Sequence, residues 1–432
     1  MDNQKLENPG DKISKSFCVL PWIHLNTWPN GNVYPCCLTD WRETVGNLKD
    51  NTLEEIWNND KMKELRRYMM EGKKHDNCRK CFQQEDYGLD STRTSSNRHY
   101  KDHIPEITKN TNKEGHNEDF KLLYWDFRFS NLCNMKCRMC GSFLSSKWWE
   151  DEVKIFGGSE LPKAIINVDD YSKKNISWYL DKFVHEVEEI YFAGGEPLLM
   201  EEHYYILHKL VEVGNLDVRL RYNTNLGYLK FKQYDNLELW KPFKERDYAN
   251  VSIFASIDGI GKVAEYSRKG TKWETIEQNL VRCIENDFNI HISATTNIFT
   301  VWEIPDLVDR MLELGLPYYR IQLNNVLTNP WYYHINILPD DIKNQIKERY
   351  NNHLASMTEE VRQTMKPKYD SIFNFMDETP QMDVEVLRRG FRFMTDLLDK
   401  GREENFQETF PYLADWFNSI TDWEGMNLSD IK

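Results

Sequence analysis

From residue 121 to about residue 330 the chain alternates between β-rich runs and helical segments, a rhythm that few folds accommodate. The expected strands are Leu122–Phe129, Glu189–Ala193, Val218–Asn225, Val251–Ile257, Ile290–Asn297 and Tyr318–Leu323. Helical spacing fills the intervals, for example at Glu201–Val213, Trp273–Asn286 and Pro305–Leu314. Strands alternating with helices imply an α/β fold with a parallel sheet and crossover helices. Six strands are too few for a closed eight-stranded barrel, so a partial (β/α)6, TIM-like barrel is expected. Ligand-binding residues then belong just past the C-terminal ends of the strands.

The flanks read differently. Residues 1–90 form a block of their own, opening with FCVLPWIHLNTWPNGNVYPCC, where Pro29-Asn30-Gly31 signals a β-hairpin turn. Leu53, Ile56, Trp57 and Leu65 then follow helical spacing behind Thr52, a residue suited to capping. Residues 91–120 are polar and read as a linker, and residues 331–432 as a helical C-terminal extension rich in aromatics.

Composition narrows the function. A hydrophobic share of 40% is enough for a sizeable core and excludes wholesale disorder. With 69 acidic and 55 basic side chains, a net charge of −14 disfavours a protein that binds by neutralising nucleic-acid phosphates. No run approaches the roughly 18 apolar residues of a membrane span. The start, MDNQKLENPGDKISKS, has no apolar core of a secretory signal, so a cytoplasmic location is expected. In that reducing compartment nine cysteines point to metal rather than to disulfides.

The cysteines are clustered. Cys133, Cys137 and Cys140, in NLCNMKCRMCG, follow the first expected barrel strand. Three thiolates at CxxxCxxC spacing can hold three corners of a 4Fe–4S cluster and leave one iron open. Structural zinc wants four ligands, and no fourth Cys or His follows locally. Asn131, Asn134, Lys136 and Arg138 make the loop polar, unlike a buried core segment. The second strand runs into Gly194-Gly195-Glu196-Pro197, where a Gly pair permits close backbone approach and Glu can accept from an ammonium group. Thr224 and Asn225 end the third strand, Ser256 and Asp258 the fourth, and Asn297 the fifth, with Arg268 ten residues beyond Asp258.

Taken together these elements resemble the radical S-adenosylmethionine (radical SAM) superfamily. The resemblance implies a catalytic 4Fe–4S cluster on Cys133, Cys137 and Cys140 whose open iron chelates S-adenosylmethionine. It implies reductive cleavage of that cofactor to a 5′-deoxyadenosyl radical that abstracts hydrogen from a substrate. It also assigns cofactor-binding roles: Gly194, Gly195, Glu196 and Pro197 on the methionine side, Thr224, Asn225, Ser256, Asp258 and Asn297 towards the ribose, and Arg268 at the carboxylate. Met139 stands where the family usually has an aromatic residue near the adenine, and a thioether can also pack on a ring.

Cys18, Gly31, Cys36 and Cys78-x-x-Cys81 resemble the SPASM/twitch auxiliary-cluster domain of the same superfamily, here ahead of the barrel rather than behind it. With no further cysteine before Cys133, the resemblance implies one auxiliary 4Fe–4S cluster on Cys18, Cys36, Cys78 and Cys81. Structural zinc is the alternative, and Cys37 competes with Cys36 as the ligand. Cys283, within a helical segment, reads as a small buried core residue.

Such enzymes often modify peptides or protein side chains, so a peptide substrate is expected. The alternatives are a small metabolite, such as an amino acid or sugar derivative, or a non-catalytic metal-binding interaction protein. An electron donor such as flavodoxin or ferredoxin is the implied partner. Tyr124, Asp126, Arg128 and Asn324 sit on barrel strands as acid–base candidates, none of them assignable.

Overall fold

The computed structural model describes residues 7–86, 90–172, 176–427 and 430, with the side chain of Asn324 outside the described set. Nine strands form one sheet: β1 (His24–Thr27), β2 (Asn32–Tyr34), β3 (Gly46–Asn47), β4 (Tyr124–Phe127), β6 (Glu189–Phe192), β7 (Arg219–Thr224), β10 (Val251–Ala255), β12 (Asn289–Thr296) and β13 (Ile321–Val326). Four two-residue strands make small pairs, β5 (Lys136–Cys137) with β11 (Arg268–Lys269) and β8 (Lys230–Phe231) with β9 (Tyr234–Asp235).

The sheet order is β13-β12-β10-β7-β6-β4-β1-β2-β3. The six strands expected from the sequence are all parallel, and helices cross between them. β4 turns its free edge to β1 rather than to β13, so the barrel stays open. Pairing of β1 with β4 is parallel, in the register Asn26↔Asp126, and the expected hairpin β1–β2 continues the sheet. The cysteine-rich N-terminal block and the barrel therefore share one sheet.

Alternation along the strands fixes which face is buried. In β12 every second residue is buried, Ile290, Ile292 and Ala294 among them. They join Trp125, Phe127, Ile190, Leu220, Ile253 and Leu323 in a core with helix residues such as Leu280, Leu307 and Met311. Cys283 lies in that core, fully buried, as expected. The opposite face carries the polar residues of the same strands.

Three expectations are corrected. The last strand begins at Ile321, because Tyr318–Arg320 form a 3-10 turn behind Pro317, closed by Arg320 N–H donating to the Pro317 carbonyl at 2.9 Å. The single N-terminal helix is two, Leu53–Trp57 and Asp60–Met70; Thr52 caps the first in a capping box with Glu55, and Asn59 caps the second. The 91–120 linker contains helices Thr92–His99 and Ile104–Lys109, and Tyr100, Ile104 and Ile107 pack with Cys18, Leu65 and Met69 in a second core. Beside those few apolar contacts the segment is held by buried polar bonds, which is why its composition reads as a linker. Asn97 donates to the Phe17 carbonyl at 2.8 Å and accepts from Val19 N–H at 2.8 Å.

The C-terminal extension is helical, as expected: Asp340–Ser356, Glu359–Asp377 and Val384–Arg402. Among the described residues, no helix is long and apolar enough to cross a membrane.

Candidate active site and second cysteine centre

The loop after β4 is built from its own side chains. Asn131 donates to the carbonyls of Ser142 (2.7 Å) and Ala164 (2.9 Å) and accepts from Ile166 N–H (2.9 Å), fixing where the loop begins and returns. Trp148 Nε1 donates to the Cys137 carbonyl at 2.7 Å. On this frame Cys133 and Cys137 are buried and Cys140 half-buried, all as free thiols. Burial pushes all three thiols up, Cys140 to about 12, and the neighbouring Cys137 adds to the shifts of Cys133 and Cys140.

The turn after β6 presses directly on this loop. Gly195 N–H donates to the Ser130 carbonyl at 3.2 Å and Glu196 N–H to the Leu132 carbonyl at 2.7 Å. A Cβ on Gly195 would sit 2.2 Å from the Leu132 oxygen, and Gly194 has φ +117°, so the Gly pair is a steric requirement. Glu196 is buried and accepts three bonds, from Leu198 N–H (3.1 Å), Thr224 Oγ1 (2.7 Å) and Asn225 N–H (2.8 Å). Burial pushes its carboxyl up to about 7, with those donors pulling the other way. Pro197 opens the 3-10 turn that follows.

Two side chains carry this network to the thiols. Asn225 Nδ2 donates to Asn134 Oδ1 at 2.8 Å and approaches Cys133 Sγ at 3.9 Å. Arg268, held opposite Cys137 by the β5–β11 pair, points Nη1 at Cys137 Sγ, 3.8 Å away. Asp258 does not stand apart from Arg268: the two form a bidentate ion pair at 2.6 and 3.0 Å, and Asp258 Oδ1 also accepts from Thr295 N–H at 2.7 Å. The family resemblance implies separate ligand contacts for these two residues; the fold couples them. Ser256 joins the strand ends, its N–H donating to the Thr224 carbonyl at 2.8 Å. Asn297 is turned into its own loop, donating to the Thr295 carbonyl and accepting from Phe299 N–H, both at 2.9 Å. Met139 is half-buried against the main core.

The second cysteine centre is a tight apolar pocket with Cys18, Cys36, Cys78 and Cys81 on its wall, beside Leu20, Pro35, Leu65 and Met69. Cys36 lines it; the electrostatic neighbours of Cys37, apart from Cys36, are Asp126, Arg128 and Arg221 on the barrel strands. Thr92 and Arg93, from the segment expected to be a linker, complete the wall. Arg93 is anchored by bonds to Glu85 Oε1 and the Phe17 carbonyl, each at 2.9 Å. Burial raises the Cys18, Cys78 and Cys81 thiols, Cys78 to about 12, and neighbouring thiols add to the shifts of Cys18 and Cys78.

Both loops have sequence relatives. The profile described as the radical SAM superfamily matches residues 127–311, and that of the SPASM iron–sulfur cluster-binding domain matches residues 18–82. The chain belongs to the radical SAM superfamily. It carries its SPASM domain ahead of the barrel, and its cofactors are a 4Fe–4S cluster with S-adenosylmethionine and auxiliary iron–sulfur. Among solved structures, native anSMEcpe with bound AdoMet and Cp18Cys peptide is 17% identical, with a TM-score of 0.35 over 58% of this chain and 60% of that one. Native anSMEcpe with bound AdoMet alone is also 17% identical, with a TM-score of 0.35 over 63% of this chain and 65% of the other. This radical SAM chain thus spans less than two thirds of the length of the solved chains it matches. No curated protein matches it.

The residues present fit these cofactors. Raised thiols become thiolates only against a strong compensating cation, which iron supplies. N–H groups directed at Cys133 and Cys137 sulfur are the outer contacts a thiolate-bound cluster uses. Among the described residues no three His, Cys, Asp or Glu side chains are grouped tightly enough for one metal ion. At the second centre four thiols line one pocket, the donor set an iron–sulfur cluster takes, in the segment that matches an iron–sulfur cluster-binding domain.

The face of β4, β6 and β7 opposite the main core is polar. Asp126 is fully buried; Arg128 Nε donates to its Oδ1 at 3.4 Å, and its Oδ2 has no partner among the described residues. Arg221 and Arg219 both pair with Glu189, the first at 3.0 Å. Tyr124 and Tyr191 lie in the same region, and both pack with the second core around Cys18. Sequence pattern singled out Tyr124, Asp126 and Arg128 without a role; the fold gathers all three on this face.

Proposed function

We propose that this chain cleaves S-adenosylmethionine reductively, and that the resulting 5′-deoxyadenosyl radical abstracts hydrogen from a peptide or protein side chain. The observation that carries this reading is convergence: the turns after β6, β7 and β10 all end on the cysteine loop, through Glu196, Asn225 and the Asp258–Arg268 pair.

In this reading Cys133, Cys137 and Cys140 hold the cluster. Glu196 offers negative charge to the cofactor's ammonium group, and the Arg268 fork faces its carboxylate while Asp258 keeps the fork oriented. Thr224 holds Glu196 in place. Gly194 and Gly195 give the backbone room to approach. Ser256 is the remaining candidate for the ribose, since the Asn297 amide is occupied by its own loop.

Cys18, Cys36, Cys78 and Cys81 hold the auxiliary cluster, whose four thiolates leave no open iron for substrate. Its role is to pass on an electron, with flavodoxin or ferredoxin as the external donor to the catalytic centre. The Asp126 Oδ2, buried without a partner among the described residues on the polar face of β4, is the first choice for receiving a substrate proton. An open barrel edge supports a peptide, because an extended chain needs lateral access.

The test is anaerobic reconstitution followed by dithionite reduction with S-adenosylmethionine. Wild-type protein should release 5′-deoxyadenosine and Cys137→Ala should not. Equal, background release from both would sink the proposal and favour a non-catalytic metal-binding role.

A further inference from the structure

The C-terminal extension reaches the cysteine loop through the end of the helix Val384–Arg402 and the turn after it. Arg138, between Cys137 and Cys140, is fully buried there and lies 3.7 Å over the Tyr266 ring. It pairs with Asp399 and, at 2.8 Å, with Glu404. Asp399 is itself held by Tyr266 OH and Phe406 N–H, each donating at 2.7 Å. A second arm runs alongside. Lys136 pairs with Asp151 at 2.6 Å and Arg402 with the other Asp151 oxygen at 2.8 Å, while Arg402 covers the Trp148 ring at 4.6 Å. The third arm is Lys269, next to Arg268, which pairs with Glu404 at 3.2 Å.

The charges do not cancel. Lys136, Arg138, Lys269 and Arg402 are four cations; Asp151, Asp399 and Glu404 are three anions, so four minus three leaves one positive charge in surplus. The surplus is concentrated where water is excluded, since Arg138 Nη1 and both Arg402 Nη atoms are buried without a partner among the described residues. A fixed charge in such a place acts over a longer range than one in solvent.

We propose that this C-terminal turn is a brace that positions the cysteine loop and sets the reduction potential of the catalytic cluster. The inference rests on the radical SAM reading of that loop. A cluster on three thiolates gains one more negative charge on reduction. The unmatched cation therefore favours the reduced form, and each carboxylate of the brace opposes it. Asp399, Glu404 and Arg402 are positioning residues; none of them need touch the cofactors.

The test uses full-length reconstituted protein. Iron content is measured first, then a redox titration followed by electron paramagnetic resonance, with the catalytic cluster recognised by its response to S-adenosylmethionine. Asp399→Asn removes an anion and should shift the midpoint upward; Arg138→Gln removes a cation and should shift it downward. The outer ion pair of the brace supplies a second pair for the case in which those variants do not fold: Glu404→Gln upward and Lys269→Gln downward. Opposite shifts with iron retained support the brace, because a merely structural contact would not change sign with charge. Unmoved potentials, shifts in one direction, or loss of iron from all four variants would overturn it. If wild-type protein assembles no cluster, the radical SAM reading fails instead.

Discussion

Glu196 carries the sharpest consequence at the scale of one residue. Burial raises its carboxyl to about 7, so near neutrality it is divided between two states. Only the ionised state attracts an ammonium group, so S-adenosylmethionine affinity should rise as pH increases through about 7. Folding moves the other way: a carboxyl raised above its ordinary value stabilises the protein most at low pH, and that contribution fades as pH climbs to about 7. Equilibrium binding of S-adenosylmethionine from about pH 6 to about pH 8 checks the first claim. Glu196→Gln should flatten the profile; a variant with the wild-type slope would remove Glu196 from that role.

The Asp258–Arg268 pair makes a second prediction. Asp258 is fully buried and both its oxygens are occupied, so Asp258→Asn leaves a buried guanidinium uncompensated. The expected loss is about 3 kcal/mol, read as a lower thermal midpoint of the apo-protein. These residues also mark how far a sequence can be read. GGEP and the three-cysteine loop are legible because each acts within a few consecutive positions. That Asp258 orients Arg268, and that Asn297 caps its own turn, depends on side-chain direction, which residue type and spacing leave open.

At the scale of elements, the six parallel strands were legible to within a few residues, since alternation on one face and helical spacing between strands report local geometry. Partner choice was not. Nothing in the period of β1 says that it pairs with β4, and this pairing is what merges the SPASM domain with the barrel. The supposed linker was misread for a related reason: Arg93 and Asn97 are polar yet buried, satisfied by main-chain groups far away in sequence. The shared sheet predicts shared unfolding. Trp125, in β4 beside β1, is almost fully buried, and its Nε1 donates to the Leu122 carbonyl at 2.7 Å. Trp125→Ala should cost about 3–5 kcal/mol. Circular dichroism and bleaching of cluster absorbance should then fall together in one transition at lower temperature; two separated transitions would show that the strand pairing does not couple the halves.

For the whole molecule the question is whether two clusters in one cooperative fold depend on each other. Their ligands come from different neighbourhoods. Cys133 and Cys137 pack in the main core, whereas Cys18 and Cys81 border a cavity over the second core of Phe17, Leu65, Met69 and Tyr100. No thiol is shared, and the coupling sheet runs through backbone pairs that need no iron. Each cluster should therefore assemble without the other. Wild-type protein should hold about eight irons per chain, and Cys137→Ala and Cys78→Ala about four each. The two half-loaded forms should differ in chemistry. Cys78→Ala keeps the catalytic loop intact and should still release 5′-deoxyadenosine, without completing turnover on substrate; Cys137→Ala should do neither. Iron analysis beside 5′-deoxyadenosine quantitation decides the matter. A Cys78→Ala protein devoid of all iron would mean that the SPASM cluster is a folding element for the barrel rather than an independent electron site.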